Sequence, residues 1–253
     1  MSEALSSLVA LVERLRRDCP WDREQTPETL RTYLLEECHE VLDAIDSGDL
    51  NALADELGDL LFQILFLSRI AQERGSFSIE DVAEKISAKM IERHPHVFGG
   101  AQAADADSVR QGWERRKQRA SGAGDPLGSL PASLPALASA YRMTSRAADL
   151  GFDWERDADV AAKIEEELAE WREAERAGDG EAEEKEIGDL LFSIVNLARR
   201  RRIDPESALR HAQARFRTRF ARVAERARES GRAVGDVSAS ELDAYWEEAK
   251  AEE

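Results

Sequence analysis

The sequence predicts an all-α protein made of two tandem copies of one helical unit. Apolar residues make up 42% and charged residues 34% of the 253 residues, and only 15 are Gly and 7 are Pro. This composition is typical of helix-rich chains. Alternating runs rich in Val, Ile, Thr and Tyr, which indicate strands, are absent. The third observation is a repeat, because residues 36–70 align with residues 166–200 without a gap.

The first copy is predicted to contain four helices, at residues 3–17, 27–47, 50–74 and 79–93, with "HPHVFGG" as a breaker after the fourth. The second copy is predicted to contain helices at residues 134–149, 157–177, 181–201 and 205–230, and a last helix at 239–251. Gly48 and Gly178 are expected to end the second helix of each copy, and Asp49 and Asp179 to begin the third. Such short turns make the two helices antiparallel neighbours, as in a four-helix bundle.

A linker is expected between the copies, because Gly, Pro, Ser and Ala are concentrated in residues 116–139. We therefore predict an N-terminal domain at residues 1–118, a linker at 119–133 and a C-terminal domain at 134–253.

The formal net charge of −17 opposes binding to nucleic acid or to an anionic membrane. A nucleotide can still bind an acidic protein when divalent ions bridge carboxylate and phosphate. Cys19 and Cys38 cannot form a disulfide framework, and no N-terminal segment resembles a signal peptide or a membrane span. We expect a cytoplasmic location.

Acidic side chains recur at helical spacing in both copies. Residues three apart share a helix face, so Glu37 projects with Glu40, and Glu56 projects with Asp59. Two antiparallel helices can bring the four carboxylates together, where they would repel one another unless a hard divalent cation neutralised them. The expected metal is Mg²⁺, for which Mn²⁺ can substitute. The predicted metal ligands are Glu37, Glu40, Glu56, Asp59, Glu167, Glu170, Glu186 and Asp189.

The acidic motifs admit two other interpretations. A Glu-x-x-Glu motif alone is most often a solvated helix face, but Glu56 and Asp59 lead into an apolar run that is expected to be buried. Glu36 and His39 also form the Glu-x-x-His pattern of di-iron bundles. The second copy has Ala169 where the first has His39, which argues against that metal.

These motifs resemble the MazG family of all-α nucleoside triphosphate pyrophosphohydrolases. The resemblance rests on EExxE, then E-x-x-D within "ELGDLLF" and "EIGDLLF", with "ERHPHVFGG" in the first copy and "GFDW" before the second. It covers nearly the whole chain and implies two tandem MazG-type domains. It also implies Mg²⁺-dependent hydrolysis of a nucleoside triphosphate to the monophosphate and pyrophosphate, a house-cleaning activity, and association into a homodimer.

Further residues are candidates for catalysis and substrate binding. Glu36 and Glu166 can accept a proton from the attacking water or hold a further ion, and both roles stay open. Basic residues at helical spacing can contact the phosphates or form surface salt bridges, and two tryptophans can stack on a base or pack in the core. These candidates are Lys163, Arg215, Arg219, Trp246, Lys89, Arg93 and Trp113. Trp21, Trp154 and Trp171 are assigned to packing.

The second copy is expected to carry more of the activity, because Lys163 precedes its acidic motif where the first copy has Tyr33. Two alternative functions remain. One is an interaction or regulatory protein that docks a protein partner through its bundle faces. The other is a pyrophosphohydrolase of a related compound, such as a phosphoribosyl-ATP or dUTP-like substrate.

Overall fold

A computed structural model describes residues 3–100, 105, 109, 112–113, 116 and 125–252. Within these residues every regular element is a helix, so the predicted all-α class is confirmed. The chain divides into two compact units, Met1–Ala104 and Asp105–Glu253. Of the predicted linker, residues 119–124 lie outside the described part, and the domain boundaries stay a prediction. None of the described helices combines the length and the apolar character needed to cross a membrane.

The first unit is built around a hairpin of two long helices. Its helices are α1 (Glu3–Asp18), α2 (Pro20–Glu24), α3 (Pro27–Ser47), α4 (Leu50–Glu73), α5 (Ile79–Arg93) and α6 (Pro95–Phe98). Helices α3 and α4 form the hairpin, and α1 and α5 both pack on α4. The four long helices match the predicted ranges to within one residue. The predicted breaker contains the short helix α6, which Pro95 starts at its first position.

The second unit repeats the hairpin. Its helices are α7 (Ala136–Asp149), α8 (Asp157–Ala177), α9 (Gly180–Arg200), α10 (Pro205–Glu229) and α11 (Ala239–Ala251), with a 3₁₀ turn at Val234–Asp236. Helices α8 and α9 form the hairpin, α7 packs on α9 and α10, and α11 packs on α10. The site described below lies where α7, α8 and α9 meet.

The turns of the two hairpins are made as predicted. Gly48 and Gly178 end α3 and α8 in the left-handed conformation, with φ of 72° and 67°. The Asp49 carboxylate accepts hydrogen bonds from the backbone N–H groups of Asn51 and Ala52, at 2.8 and 3.3 Å. Asp179 accepts one from Ala182 at 3.1 Å. Each turn therefore fixes which acidic residues of one helix lie beside those of the other helix in the hairpin.

The interior of the first unit is filled by apolar side chains from α1, α3 and α4. The buried residues of this cluster are Val12, Leu30, Leu65, Phe66 and Ile70. Burial of each such side chain stabilises the fold by about 1.5 to 3 kcal/mol. Phe66 also packs against Phe62 on the preceding turn, with 5.6 Å between ring centroids.

The apolar run after Glu56 and Asp59, which is expected to be buried, places Leu65 and Phe66 in the core, but its Ile64 is 39% exposed. One apolar face of α4, with Leu57 and Ile64, and one of α9, with Ile187, Leu191 and Ile194, are exposed. Each of these helices packs on other helices through only part of its surface, so the remaining apolar residues face outward.

Candidate metal centre and adjoining pocket

In the first unit, the hairpin brings acidic residues of α3 and α4 together. Glu37, Glu56 and Asp59 each place a carboxylate oxygen within 4.8 Å of the others. Glu40 contacts Glu37, and the negative charges of Glu40 and Asp59 both disfavour ionisation of Glu37. The amide of Gln63 donates to Glu37 Oε1 at 3.4 Å. The predicted convergence of carboxylates from two helices is therefore present in this unit.

In the second unit, α8 and α9 form the equivalent cluster at greater depth. Carboxylate oxygens of Glu167, Glu186 and Asp189 lie within 4.8 Å of one another. Glu167 is only 4% exposed and Glu186 only 8%. Glu170 adds a fourth carboxylate at the edge of the cluster, where it and Glu186 act on each other electrostatically.

Two lysines distinguish the second cluster from the first. Lys163 Nζ lies 2.8 Å from Glu167 Oε1 and 2.9 Å from Glu166 Oε1. Lys185 Nζ lies 2.6 Å from Glu186 Oε1 and 3.4 Å from Asp189 Oδ2. The first copy has Tyr33 and Asp55 at the corresponding positions. Among the described residues, the second cluster therefore has two paired lysines whose positions in the first copy are not basic.

The titration of the carboxylates follows from these neighbours. Burial, together with the charges of Asp59 and Glu40, raises the pKa of Glu37 above its ordinary value. Burial, with the charges of Glu186 and Glu167, likewise raises the pKa of Glu170. The hydrogen bond from Lys185 lowers the pKa of Glu186. The two clusters thus differ in how their negative charge is balanced.

The donor set of the second cluster fits a divalent cation that prefers oxygen ligands. Glu186 Oε2 is buried and has no hydrogen-bond partner, which is costly for a carboxylate oxygen unless something pairs with it. Carboxylate oxygens are the ligands that Mg²⁺ and Ca²⁺ take in proteins, and the cluster contains no His or Cys.

A pocket of about 710 Å³ adjoins this cluster. Glu167, Asp189 and Lys163 line one part of it, and the rest is mainly apolar. Phe152 and Trp154 lie at its mouth and are exposed, while Ser193 is buried. The other lining residues are Leu127, Met143, Thr144, Ala147, Leu150, Asp153, Val160, Phe192 and Asn196. A pocket of this size and character is typical of a small-molecule site.

At the corresponding positions of α4, the first unit has a residue that packs in its core. Phe66 stands where the second copy has Asn196, and it packs in the apolar cluster at 1% exposure. Gln63 stands where the second copy has Ser193. The acidic cluster of the first unit therefore adjoins a filled interior, whereas that of the second unit adjoins an open pocket.

The structure places the predicted site residues in several separate positions. Lys163 lies in the pocket wall beside the cluster, and exposed Glu166 contacts it. The Arg219 guanidinium lies 5.8 Å from the ring centroid of Trp246, and neither residue lines the pocket. Arg215 is exposed on α10.

The predicted first-copy residues are less closely grouped. Glu36 is exposed on α3, beside the acidic cluster in sequence. Lys89 and Arg93 lie on α5. Trp113, assigned to the first copy, falls in the second compact unit. The roles given to these residues stay predictions.

Three residues of the second site were missed or misassigned from the sequence. Trp154 was assigned to packing but lies at the pocket mouth. Asn196 and Lys185 were not singled out, although the repeat marks both, since the first copy has Phe66 and Asp55 in their places. A polar residue that replaces a core residue, and a cation that replaces an anion, are signals that the alignment of the copies could have supplied.

Comparison with known proteins finds related sequences for both copies. Residues 25–98 match the MazG nucleotide pyrophosphohydrolase domain family. Residues 143–216 match the phosphoribosyl-ATP pyrophosphohydrolase family.

Relatives of similar length match along nearly the whole chain. The nucleoside triphosphate pyrophosphohydrolase/pyrophosphatase MazG of Thermotoga maritima is 44% identical over 247 residues, which cover 96% of this chain and 94% of the relative. The nucleoside triphosphate pyrophosphohydrolase of Escherichia coli K12 is 40% identical and covers 98% of each chain. A solved mazG-related protein from Thermotoga maritima is 30% identical, covers 45% of this chain and 98% of its own, and has a TM-score of 0.40.

Proposed function

This chain belongs to the MazG family of nucleoside triphosphate pyrophosphohydrolases and is a hydrolase, and from that premise we propose that its second unit hydrolyses nucleoside triphosphates with Mg²⁺. The reaction cuts the bond between the α and β phosphates and yields a nucleoside monophosphate and pyrophosphate. The single observation that carries the choice of the second unit is its open pocket, which adjoins a buried acidic cluster.

Glu167, Glu186 and Asp189 would hold the metal, with Glu170 as a fourth ligand. The unpartnered Oε2 of Glu186 supports this assignment. When bound, Mg²⁺ would neutralise phosphate charge and lower the pKa of a coordinated water. Mn²⁺ is expected to substitute, because it accepts the same oxygen ligands.

Lys163 and Glu166 would act on the substrate from the cluster's edge. The Lys163 ammonium lies in the pocket wall and can contact phosphate oxygens. It also holds the Glu166 carboxylate at 2.9 Å. We assign Glu166 as the proton acceptor. Its other carboxylate oxygen, Oε2, would accept a proton from the attacking water. Arg215, Arg219 and Trp246 are proposed to close over the substrate from α10 and α11.

The first unit would bind a metal but turn over nucleotide poorly, since Tyr33 replaces the phosphate-contacting lysine and Phe66 packs in the core where the second copy has Asn196. A role of Glu36, Lys89, Arg93 and Trp113 in nucleotide binding would belong to this weaker site.

The test is product analysis with a panel of NTPs and dNTPs in Mg²⁺, Mn²⁺ or EDTA. We expect pyrophosphate and monophosphate in equal amounts, with no release in EDTA. Asp189→Asn should abolish most turnover, while the matched Asp59→Asn in the first copy should not. Orthophosphate as the product, or no product from any substrate, would contradict the proposal, and the second result would favour a protein that only docks partners.

Phosphoribosyl-ATP belongs in the same panel, because residues 143–216 match the phosphoribosyl-ATP pyrophosphohydrolase family. Faster turnover of this compound than of every NTP would make it the preferred substrate. The expected result is a preference for NTPs, consistent with the names of the relatives that cover the whole chain.

We also propose that the chain forms a homodimer and acts in cleaning the nucleotide pool. The exposed apolar faces of α4 and α9 support association, because large apolar patches are usually covered in the assembled protein. Light scattering at micromolar concentration tests this, and a mass of one chain would contradict it. A regulatory protein partner stays a prediction.

A further inference from the structure

The pocket of the second unit contains a row of polar groups along one face of α9. Asp189, Ser193 and Asn196 all line the pocket, and they follow one another at helical spacing. From Asp189 to Asn196 the helix rises by about 10 Å. This rise is comparable with the length of a nucleoside from its α phosphate to the far edge of its base.

The amide of Asn196 has a fixed orientation. Arg199 Nε donates to Asn196 Oδ1 at 2.9 Å, and a guanidinium has no acceptor, so the bonded atom must be the carbonyl oxygen. Arg199 is held in turn by Asp153, whose Oδ1 accepts from Arg199 Nη2 at 2.5 Å. The amide nitrogen of Asn196 meets no acceptor among the described residues. Arg199 takes one of the two lone pairs of Oδ1, so the Nδ2 amino group is the part of Asn196 that stays fully open to a bound molecule.

The carboxylate of Asp153, which also lines the pocket, is engaged by other donors through its Oδ1. Asp153 lies beside the mouth, and its Oδ1 also accepts from the Trp154 N–H at 2.9 Å and pairs with Arg200 at 3.2 Å. Ser193, one turn below Asn196, is 9% exposed, and its hydroxyl has no partner among the described residues. It lies at the level expected for the sugar.

We propose that Asn196 reads the base of the substrate and selects nucleotides whose base presents a carbonyl group in place of an amino group. The keto oxygen of uracil or hypoxanthine would accept a hydrogen bond from Asn196 Nδ2, whereas the amino group of cytosine or adenine would meet a second donor. The proposal rests on the proposed function. It adds a substrate class, keto-base nucleoside triphosphates, and a residue that determines specificity.

The first copy supplies an internal contrast. Phe66, at the position of Asn196, is buried against Val12 and Leu30 and has no polar atom to offer. The polar residue is thus found in the copy with the open pocket, and the apolar residue in the copy where that position packs in the core.

The test compares kcat/KM for two matched substrate pairs, UTP against CTP and ITP against ATP, on the full chain with Mg²⁺. The members of each pair differ by a carbonyl in place of an amino group. We expect each keto nucleotide to be favoured by about ten-fold, since a donor that binding leaves without an acceptor costs about 1 to 3 kcal/mol. Ratios near one in the wild-type chain would overturn the proposal.

Asn196→Asp supplies the decisive variant, because a carboxylate offers only acceptors. Both ratios should fall to about one or invert, with unchanged Mg²⁺ affinity and thermal midpoint. Asn51→Asp, the same change at an exposed site in the first unit, should leave both ratios unaltered. Ratios that stay the same in Asn196→Asp would refute the proposal.

Failure of the proposed function would give a separate result, namely no pyrophosphate from any of the four nucleotides. In that case the same two ratios are obtained from dissociation constants measured by calorimetry. Equal constants within each pair would overturn the recognition by Asn196, and keto preference lost in Asn196→Asp would support it.

Discussion

Replacing Glu167 by Gln, and separately Glu37 by Gln, makes the same chemical change at equivalent positions of the two copies. A carboxylate about 3 Å from a divalent ion attracts it by about 3 kcal/mol even at the dielectric constant of water. That energy corresponds to about a hundred-fold in the dissociation constant. Because Glu167 is 4% exposed, its surroundings are less polar than water, and this figure is a lower bound. We expect Glu167→Gln to weaken Mg²⁺ binding at its cluster by at least that factor.

The assay is pyrophosphate release as a function of Mg²⁺ concentration. Glu167→Gln should lose about a hundred-fold of its rate at limiting Mg²⁺, while Glu37→Gln should stay within about two-fold of the wild type. The reason is that Glu37 belongs to a cluster beside a filled interior. A reversed ranking, or full activity in both variants, would refute the assignment of turnover to the second unit.

The remaining predictions concern substrate binding, pH and stability. Lys163→Tyr, which installs the first-copy residue, should raise KM about ten-fold through loss of a charge-assisted contact. It should not weaken Mg²⁺ binding, because the lost lysine charge repels the ion. Steady-state kinetics and metal titration check this with Lys250→Tyr as the control, and weaker Mg²⁺ binding would contradict it. Because the pKa of Glu170 lies above its ordinary 4.5, the group keeps its proton to a higher pH, so Mg²⁺ affinity should fall as the pH drops through that raised pKa and recover above it. Calorimetry at a series of pH values should show a flatter profile for Glu170→Gln, and an unchanged profile would argue against this origin. Arg146 is buried and donates to the carbonyl oxygens of Leu127, Gly128 and Ser129, so Arg146→Met should lower the free energy of unfolding of the second unit by about 3 kcal/mol. Urea unfolding measures this loss against exposed Arg228→Met, and similar losses in the two variants would contradict a special role for Arg146.

Much of the fold could be predicted because its determinants are local. Gly48 and Asp49 supply a helix end and a helix start whatever surrounds them, and the three-residue spacing of Glu56 and Asp59 fixes a common face. The repeat then extended each inference from the first copy to the second. The acidic clusters of both units could be anticipated for the same reason.

The pocket could not be predicted, because it depends on how α7 packs against the second hairpin. Trp154 lies in the segment before α8, and nothing local distinguishes a tryptophan at a pocket mouth from one in a core. The donor character of Asn196 depends on Arg199, and the orientation of an amide is not readable from sequence spacing. The exposed faces of α4 and α9 show the same limit, since hydrophobicity predicts that a surface will be covered but not by which element.

Because Phe66 packs in a filled interior and Asn196 lines an open pocket, the two halves of the chain should also differ in how readily they open locally. Local opening is easiest where few apolar contacts must be broken. Backbone amides of α9 near the pocket should therefore exchange with deuterium faster than their counterparts in α4. Ligand that occupies the pocket would slow that exchange in the second half while leaving the first half as it was.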